Sequence, residues 1–482
     1  MIFNSLTYFV FLFSVVSLFW ILPYRARLLL IFASSIIFYG FWRIEFVPVM
    51  LFSVVVDYLV SIRIPESTQR SKKRLLLTSL LVNLGLLFYF KYLIFFSETA
   101  IGLANIFGAN IDPLVLKIIL PLGISFYTFQ TISYTVDVYR GFIKPEKDFV
   151  LYGCYVTFFP QLVAGPVLRA IEVIPQLASR VSFSWFDISE GLRRIIYGLF
   201  LKVALADNIG PLVDTGFSMP VDTMSAMDVW TMAFLFGFQI YFDFSAYSHI
   251  AIGSARLMGI RFPENFNYPY LASSPKVFWG RWHISLSSWI RDYLYLPLAG
   301  VKVQDRSVGG LATATLTKKK NRAMFITWAV MGLWHGANWT FVLWGIYHSI
   351  VIAVFRLISL STKQFTGGLN VFWRISITLP IMMLSWIPFR AESLGMTVAM
   401  WSKVLDPFSY ASLGMRENAY LAATFIMIGI FGTYLIREKV MPLIFEKSQT
   451  IAVVGETLAF AIMMPLVIIF FRTINQFIYF QF

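Results

Sequence analysis

Long, continuous apolar runs separated by short polar stretches repeat from one end of the chain to the other. A helix of about 20 apolar residues crosses the roughly 30 Å hydrocarbon core of a bilayer. The pattern predicts spans over residues 6–22, 28–42, 47–62, 75–96, 115–138, 195–205, 226–252, 341–355, 372–387, 421–435 and 451–471. With broken pieces counted, this makes about eleven or twelve crossings. A β-barrel would instead show segments of about ten alternating residues. The runs here are continuous and longer, so the expectation is an all-α polytopic membrane protein, with re-entrant or interfacial helices. It reads as a single membrane-embedded domain over 1–482, without internal repeat, low-complexity tail or soluble domain.

Four interruptions stand out. Residues 149–167 hold Pro160, Gly165 and Pro166, which together break a spanning helix. Irregular backbone at that depth is tolerated only in a protein interior or along a water-filled cavity, so a broken or re-entrant segment lining a cavity is expected. A polar loop with Asp207, Asp214 and Asp222 follows the short 195–205 run. Residues 278–297 carry an apolar stripe, Trp282, Leu286, Trp289, Tyr293 and Leu296, at helical spacing. His283, Ser287 and Arg291 form a second face, so an amphipathic, aromatic-rich interfacial helix is expected there. The run 323–355 is interrupted at Met331-Gly332-Leu333-Trp334-His335-Gly336-Ala337-Asn338-Trp339.

Composition sharpens this picture. Hydrophobic residues make up 58% of the 482 and charged residues 13%, against about 45–50% and about 25% in soluble domains. Mean hydropathy is +0.72, so lipid is the solvent for most of the surface. The net charge of +14 sits mainly in short loops. These hold Arg25 and Arg27, then Arg63 to Arg74, then Arg140, Lys144 and Lys147. Arg169, Arg180, Arg193 and Arg194 follow, then the basic loop 301–322, and finally Arg437, Lys439 and Lys447. Basic short loops stay in the cytoplasm. The expected arrangement is a multi-pass protein of the cytoplasmic (inner) membrane with both termini outside. Nucleic acid is not an expected partner; membrane lipid is. Cys154 is the only cysteine, which excludes an intrachain disulfide and a cysteine-cluster metal site. The first residues lack the basic n-region of a signal peptide, so the first helix is expected to be retained.

Candidate chemistry rests on four histidines, His249, His283, His335 and His348. An ionisable side chain at membrane depth costs about 2.5 kcal/mol or more and usually serves function. His335 therefore reads either as the reactive group of a membrane enzyme or as a hydrogen-bonded residue joining two helices. Gly336 can relax the backbone beside it, and Asn338 adds an amide. Asp243 and His249, six residues apart, do not share a helix face and suit pairing with other helices. His348 reads as a satisfied structural histidine. No glycosidase-like carboxylate pair, phosphate loop or His-Glu-x-x-His zinc pattern is present, and no metal is expected. What remains is histidine as general base, worth roughly 10²–10⁴-fold, with hydroxyl and thioester supplied by the substrates. Asn338, tryptophan N–H groups or backbone N–H groups near Gly336 can serve a developing oxyanion. Trp334, Asn338, Arg281, Ser287, Arg291 and Asp243 are candidates to line the substrate path. The competing class is a transporter with a His335–Asp243 proton relay, although the paired half-repeats common in transporters are absent.

Several stretches together resemble the membrane-bound O-acyltransferase family. They are Pro121-Leu122-Gly123-Ile124-Ser125-Phe126-Tyr127, Asp137-Val138-Tyr139-Arg140-Gly141 and Gly165-Pro166-Val167-Leu168-Arg169. Further along come Tyr241-Phe242-Asp243-Phe244-Ser245, Arg281-Trp282-His283-Ile284-Ser285-Leu286-Ser287 and Leu333-Trp334-His335-Gly336. The resemblance is to the bacterial branch of alginate O-acetylation and teichoic acid D-alanylation. It implies a ring of helices around a central tunnel, His335 as catalytic histidine and His283 as the second motif histidine. It implies an acyl group, most often acetyl, taken from a cytoplasmic thioester such as acetyl-CoA, with no bound cofactor. The acceptor is then a hydroxyl of an extracytoplasmic polysaccharide such as alginate or another exopolysaccharide, often reached through a companion acyltransferase. D-alanyl transfer from a cytoplasmic carrier protein to teichoic acid is the alternative within the family. Two positions depart from the alginate-like pattern: His249 stands where an aspartate is usual, and Gly280 where a second arginine is usual. They bear on donor and acceptor detail rather than on reaction type.

Overall fold

A computed structural model describes residues 1–301, 318–361, 371–440, 442–444, 449–472 and 477–478. The described residues are helical, without strands. Six helical runs are long and apolar enough to cross a membrane: Ile44–Arg63, Gln69–Ile106, Trp185–Phe217, Trp339–Ile358, Glu417–Leu435 and Val453–Phe470. The chain divides into two compact units. The first comprises Met1–Leu192, Ala251–Pro263 and Arg291–Leu316, and the second Arg193–Ile250, Glu264–Ile290 and Thr317–Phe482.

In the first unit, α1 (Leu6–Ile21) starts where the Ser5 hydroxyl accepts the Tyr8 N–H at 3.2 Å, satisfying a donor that the helix itself cannot. Its inner stripe is Tyr8, Leu12, Val15 and Phe19, while Leu6, Phe13 and Ile21 face outward. Apolar residues on both faces are what a lipid-facing helix needs. Pro23 separates α1 from α2 (Tyr24–Gly40). Next come α3 (Val47–Arg63), α4 (Gln69–Leu87) and α5 (Leu93–Ile106), the last two joined by a π-helical turn. Helix α6 covers Ile124–Arg140. A fully buried carboxylate, Asp57 on α3, ties three of these helices together. It accepts hydrogen bonds from Ser79, from Asn83 at 2.6 Å and from Thr135 at 2.7 Å. Each polar group is satisfied inside the helix cluster, as lipid requires.

The 115–138 span is corrected. Helix begins only at Ile124, because Pro121 cannot continue a ladder and Gly123 takes φ +73°. A Cβ at Gly123 would lie 2.5 Å from the Leu162 carbonyl oxygen, so that backbone approach needs glycine. Leu162 belongs to the expected broken segment. Helix α7 (Phe149–Thr157) stops, and irregular, buried backbone runs from Phe158 to Arg169 before α8 (Ala170–Ala178). Its backbone is satisfied locally, by Leu162 N–H to Phe158 O at 3.1 Å and Phe159 N–H to the Ser35 hydroxyl at 3.0 Å.

The 195–205 span and the polar loop after it are corrected as well. Helix α9 (Trp185–Leu199), a π-helical turn and α10 (Asp207–Phe217) form one continuous run. Asp207 and Asp214 are therefore helical. Helix α11 (Ala226–Arg256) follows, then the short α12 (Pro275–Trp279). The interfacial helix is shorter than its stripe suggested: α13 covers Ile284–Ile290, and a π-helical turn leads to the single turn α14 (Leu296–Leu298). Leu286 and Trp289 are buried as the stripe required. His283 lies before the helix and shares no face with Ser287 and Arg291. The basic loop falls largely outside the described residues.

In the second unit, α15 (Lys318–His335) and α16 (Trp339–Ser361) pack along each other. A Cβ on Gly332 would lie 2.1 Å from the Phe341 carbonyl oxygen, and one on Gly345 would lie 2.1 Å from that of Trp328. Small residues let two backbones touch where no hydrophobic force drives association. Beyond them lie α17 (Val371–Leu384), α18 (Trp386–Arg390), α19 (Leu394–Leu405), α20 (Glu417–Leu435) and α21 (Gln449–Phe470). Helices α8 and α19 have no counterpart among the expected elements.

Gly345→Val is expected to destabilise the protein by about 1–3 kcal/mol, the range of overpacking. Gly429→Val, with nothing within 4 Å of the added Cβ, should be close to neutral. Denaturant unfolding of the detergent-solubilised protein separates the two.

Candidate active site

Helix α15 ends at His335, and three residues later α16 begins. The join is built by Asn338. Its side-chain oxygen accepts the Thr340 N–H at 3.0 Å and its carbonyl accepts Phe341 N–H at 3.2 Å, so it caps α16. Gly336 has a different reason from the one its sequence position suggests. A Cβ there would lie 2.0 Å from the Phe341 ring, so glycine makes room for that ring beside His335.

The His335 ring is 5% exposed. Its Nδ1 lies 2.7 Å from the Met331 carbonyl oxygen, one helical turn back. A carbonyl only accepts, so Nδ1 carries the proton in the neutral ring and Nε2 carries the lone pair. Aromatic rings fix the plane: Trp334 at 5.0 Å, Trp344 at 4.9 Å and Phe389 at 5.4 Å between centroids. The Nδ1 bond and the three rings therefore hold the imidazole in place.

His283 reaches the same neighbourhood by a different route. It sits at φ +43°, a left-handed conformation rare for a residue with a side chain and often found at functional sites. Asn265 stitches the turn together. Its carbonyl accepts Ile284 N–H at 2.9 Å, its side-chain oxygen accepts the Ser285 hydroxyl at 2.9 Å, and its amide donates to Ser248 at 3.0 Å. The His283 ring stacks on Phe244 at 4.6 Å and lies 6.4 Å from Trp334. Trp334 thus contacts both histidines. The neighbouring Trp282 packs on Trp386 at 4.8 Å, which packs on Phe389 at 5.4 Å, closing a ring of aromatics behind His335.

The other candidates divide. Arg281 is half-buried and donates to Leu271 O at 3.4 Å; the Ser287 hydroxyl donates to Trp282 O at 3.2 Å. Both hold the His283 turn. Arg291 belongs to the first unit, where it is exposed and bonded to Asp292 at 2.7 Å. In that unit Tyr293 donates to Asp137 at 2.8 Å and Arg169 pairs with Asp292 at 2.9 Å, which draws three of the sequence stretches together. Asp243 is buried in the second unit against Lys202 Nζ at 2.6 Å and accepts Ile478 N–H at 2.6 Å. Lys202 also contacts Asp207 at 2.9 Å and the Phe477 ring at 4.5 Å. Asp243 thus has the pairing role expected of it. His249 lies edge-on to Tyr197 at 4.8 Å. Among the described residues no three His, Cys, Asp or Glu side chains converge as metal ligands.

Fold and site together define a helical, multi-pass membrane protein with a histidine buried among aromatic rings. The comparisons with known proteins agree. The profile of MBOAT, the membrane-bound O-acyltransferase family, matches residues 146–401. The chain is 36% identical over 443 residues to a probable alginate O-acetylase of Azotobacter vinelandii, covering 90% of this chain and 85% of that one. It is 34% identical over 388 residues to a peptidoglycan O-acetyltransferase of Helicobacter pylori, covering 75% and 70%. A teichoic acid D-alanyltransferase of Bacillus subtilis is 26% identical over 247 residues, covering 51% and 61%. The chain belongs to the membrane-bound O-acyltransferase family, and it is an O-acyltransferase.

Lys202→Met should cost about 3–5 kcal/mol, because it leaves a buried carboxylate without its cation. Adding Asp243→Asn should recover part of that loss. Unfolding free energies of the two variants check both.

Proposed function

We propose that this enzyme transfers an acetyl group from a cytoplasmic thioester, acetyl-CoA or an acylated carrier protein, to a hydroxyl of an extracytoplasmic polysaccharide. His335 is the general base. The observation that carries this reading is the Nδ1 bond to Met331 O, which directs the lone pair to Nε2. Nε2 takes the alcohol proton as the alkoxide oxygen bonds to the thioester carbonyl carbon. The carbon–sulfur bond then breaks, and the leaving thiolate takes the proton back from His335. Ester and thiol result, and the imidazole is restored. Trp334 and His283 border the reacting centre, and the Asn338 side-chain amide supplies a donor to the oxyanion. The acceptor class is supported by the relatives, whose names refer to alginate and peptidoglycan. Transfer proceeds through an extracytoplasmic companion acyltransferase, which carries the acetyl group to the polymer. The enzyme lies in the cytoplasmic membrane with its N-terminus outside, an orientation supported by the basic loops.

His335→Ala is expected to lower O-acetylation of surface polysaccharide by roughly 10²–10⁴-fold while membrane insertion is normal. Retained acetylation in cells would remove His335 from the mechanism. Transfer assays with acetyl-CoA and with acetyl- or D-alanyl-loaded carrier protein, run in parallel on full-length protein in nanodiscs, choose the donor and the acyl group.

A further inference from the structure

His348 on α16 is 0% exposed, and among the described residues neither of its ring nitrogens has a hydrogen-bonding partner. This departs from the satisfied structural histidine expected from the sequence. Buried polar groups are nearly always hydrogen-bonded, and each exception asks for an explanation. An apolar ring at this position would avoid the desolvation penalty altogether. Cohesion alone therefore does not account for an imidazole here.

The surroundings point to another role. His348 is enclosed by Trp344 at 4.8 Å, Trp279 at 4.9 Å and Trp328 at 5.4 Å between centroids. Trp344 and Trp279 meet it nearly edge-on, at 76° and 88°. Their indole nitrogens are also buried without hydrogen-bonding partners among the described residues. Trp344 is at the same time one of the three rings that fix His335, at 4.9 Å and 64°. A single indole thus touches both imidazoles.

We propose that His348 is a positioning residue for His335 and acts through Trp344. The Met331 bond tethers the His335 ring at Nδ1, and neighbouring rings set its tilt. That tilt aims Nε2. Edge-to-face contacts depend on a positive ring edge meeting a negative ring face. Imidazole has a polarised rim and a smaller ring than phenyl, so it holds two perpendicular indoles closer and more firmly than phenylalanine would. The cost of its unbonded nitrogens is offset by a fixed Trp344 plane. The inference rests on His335 being the base.

The test uses the full-length protein in lipid nanodiscs, with acetyl-CoA as the probe and thiol release as the readout. In parallel, polymer acylation is scored in cells at matched membrane levels, which does not depend on the donor chosen. His348→Phe is expected to melt no lower than the parent, to leave KM for the donor unchanged and to lower kcat by roughly 10- to 100-fold, the scale of a small misplacement at a reacting centre. His348→Gln, which keeps a polar rim, should recover part of that loss. In a His335→Ala background, His348→Phe should cause no further loss, because the two act as one unit. An unchanged kcat and unchanged cellular acylation for His348→Phe would overturn the proposal. So would a loss that merely follows the amount of folded protein, or a full additional loss in the His335→Ala background. Activity surviving His335→Ala alone would instead remove the base assignment, a separate result.

Discussion

In lipid, no water is available to complete a hydrogen bond, so every polar group must be satisfied by the protein or carry a cost. The structure is arranged around that constraint. Asp57 is surrounded by hydroxyls and an amide from neighbouring helices. Lys202 is set between two carboxylates. The irregular segment after α7 bonds to itself and to Ser35. Against this background, the Nδ1 bond of His335 to a carbonyl of its own helix does two things. It satisfies one ring nitrogen, and it assigns the lone pair to the other. A buried nitrogen is satisfied and the tautomer is set by the same contact.

The same constraint decides what was legible in the sequence. A histidine inside a long apolar run is costly, so His335 stands out without any structure. The break before α16 was also visible, since Gly336 and Asn338 interrupt the apolar pattern. The start of α6 was not: Val115 to Leu120 is as apolar as a helix, and hydropathy does not register that Pro121 and Gly123 set the boundary. Hydropathy likewise gave a loop at Asp207 and Asp214, although a helix whose acids pair with Lys202 and Arg390 continues through both. The Asp243–Lys202 pair joins residues 41 apart, and nothing local announces it. The His283 face failed for a backbone reason. Helical spacing assumes helical φ, and His283 has φ +43°.

The aromatic residues show a further limit of pattern reading. Trp282, Trp344 and the pair Trp386 and Phe389 come from three separate segments, and each alone reads as an ordinary apolar position. Only folding shows that they share one cluster with His335. Asn265 is the same kind of case: a single amide in a loop, it ties the His283 turn to Ser248 and Ser285. Residues that hold a site in place carry no chemical signature of their own.

Placing His335 on a helix pair packed through glycines has a physical consequence. Close backbone contact at Gly332 and Gly345 leaves little freedom for α15 to slide against α16. His335 at the end of one helix and the Trp344 indole on the other therefore hold a constant separation. Rigid helices position a reacting group better than loops do. Between the two helices the irregular backbone is confined to residues 336–338, where Gly336 N–H still reaches Gly332 O at 3.4 Å and Asn338 N–H turns back to Gly336 O at 2.9 Å. Glycine packing along the two helices and a self-closed turn between them are complementary parts of one arrangement, because the turn can keep its bend only if the helices that enter and leave it do not slide.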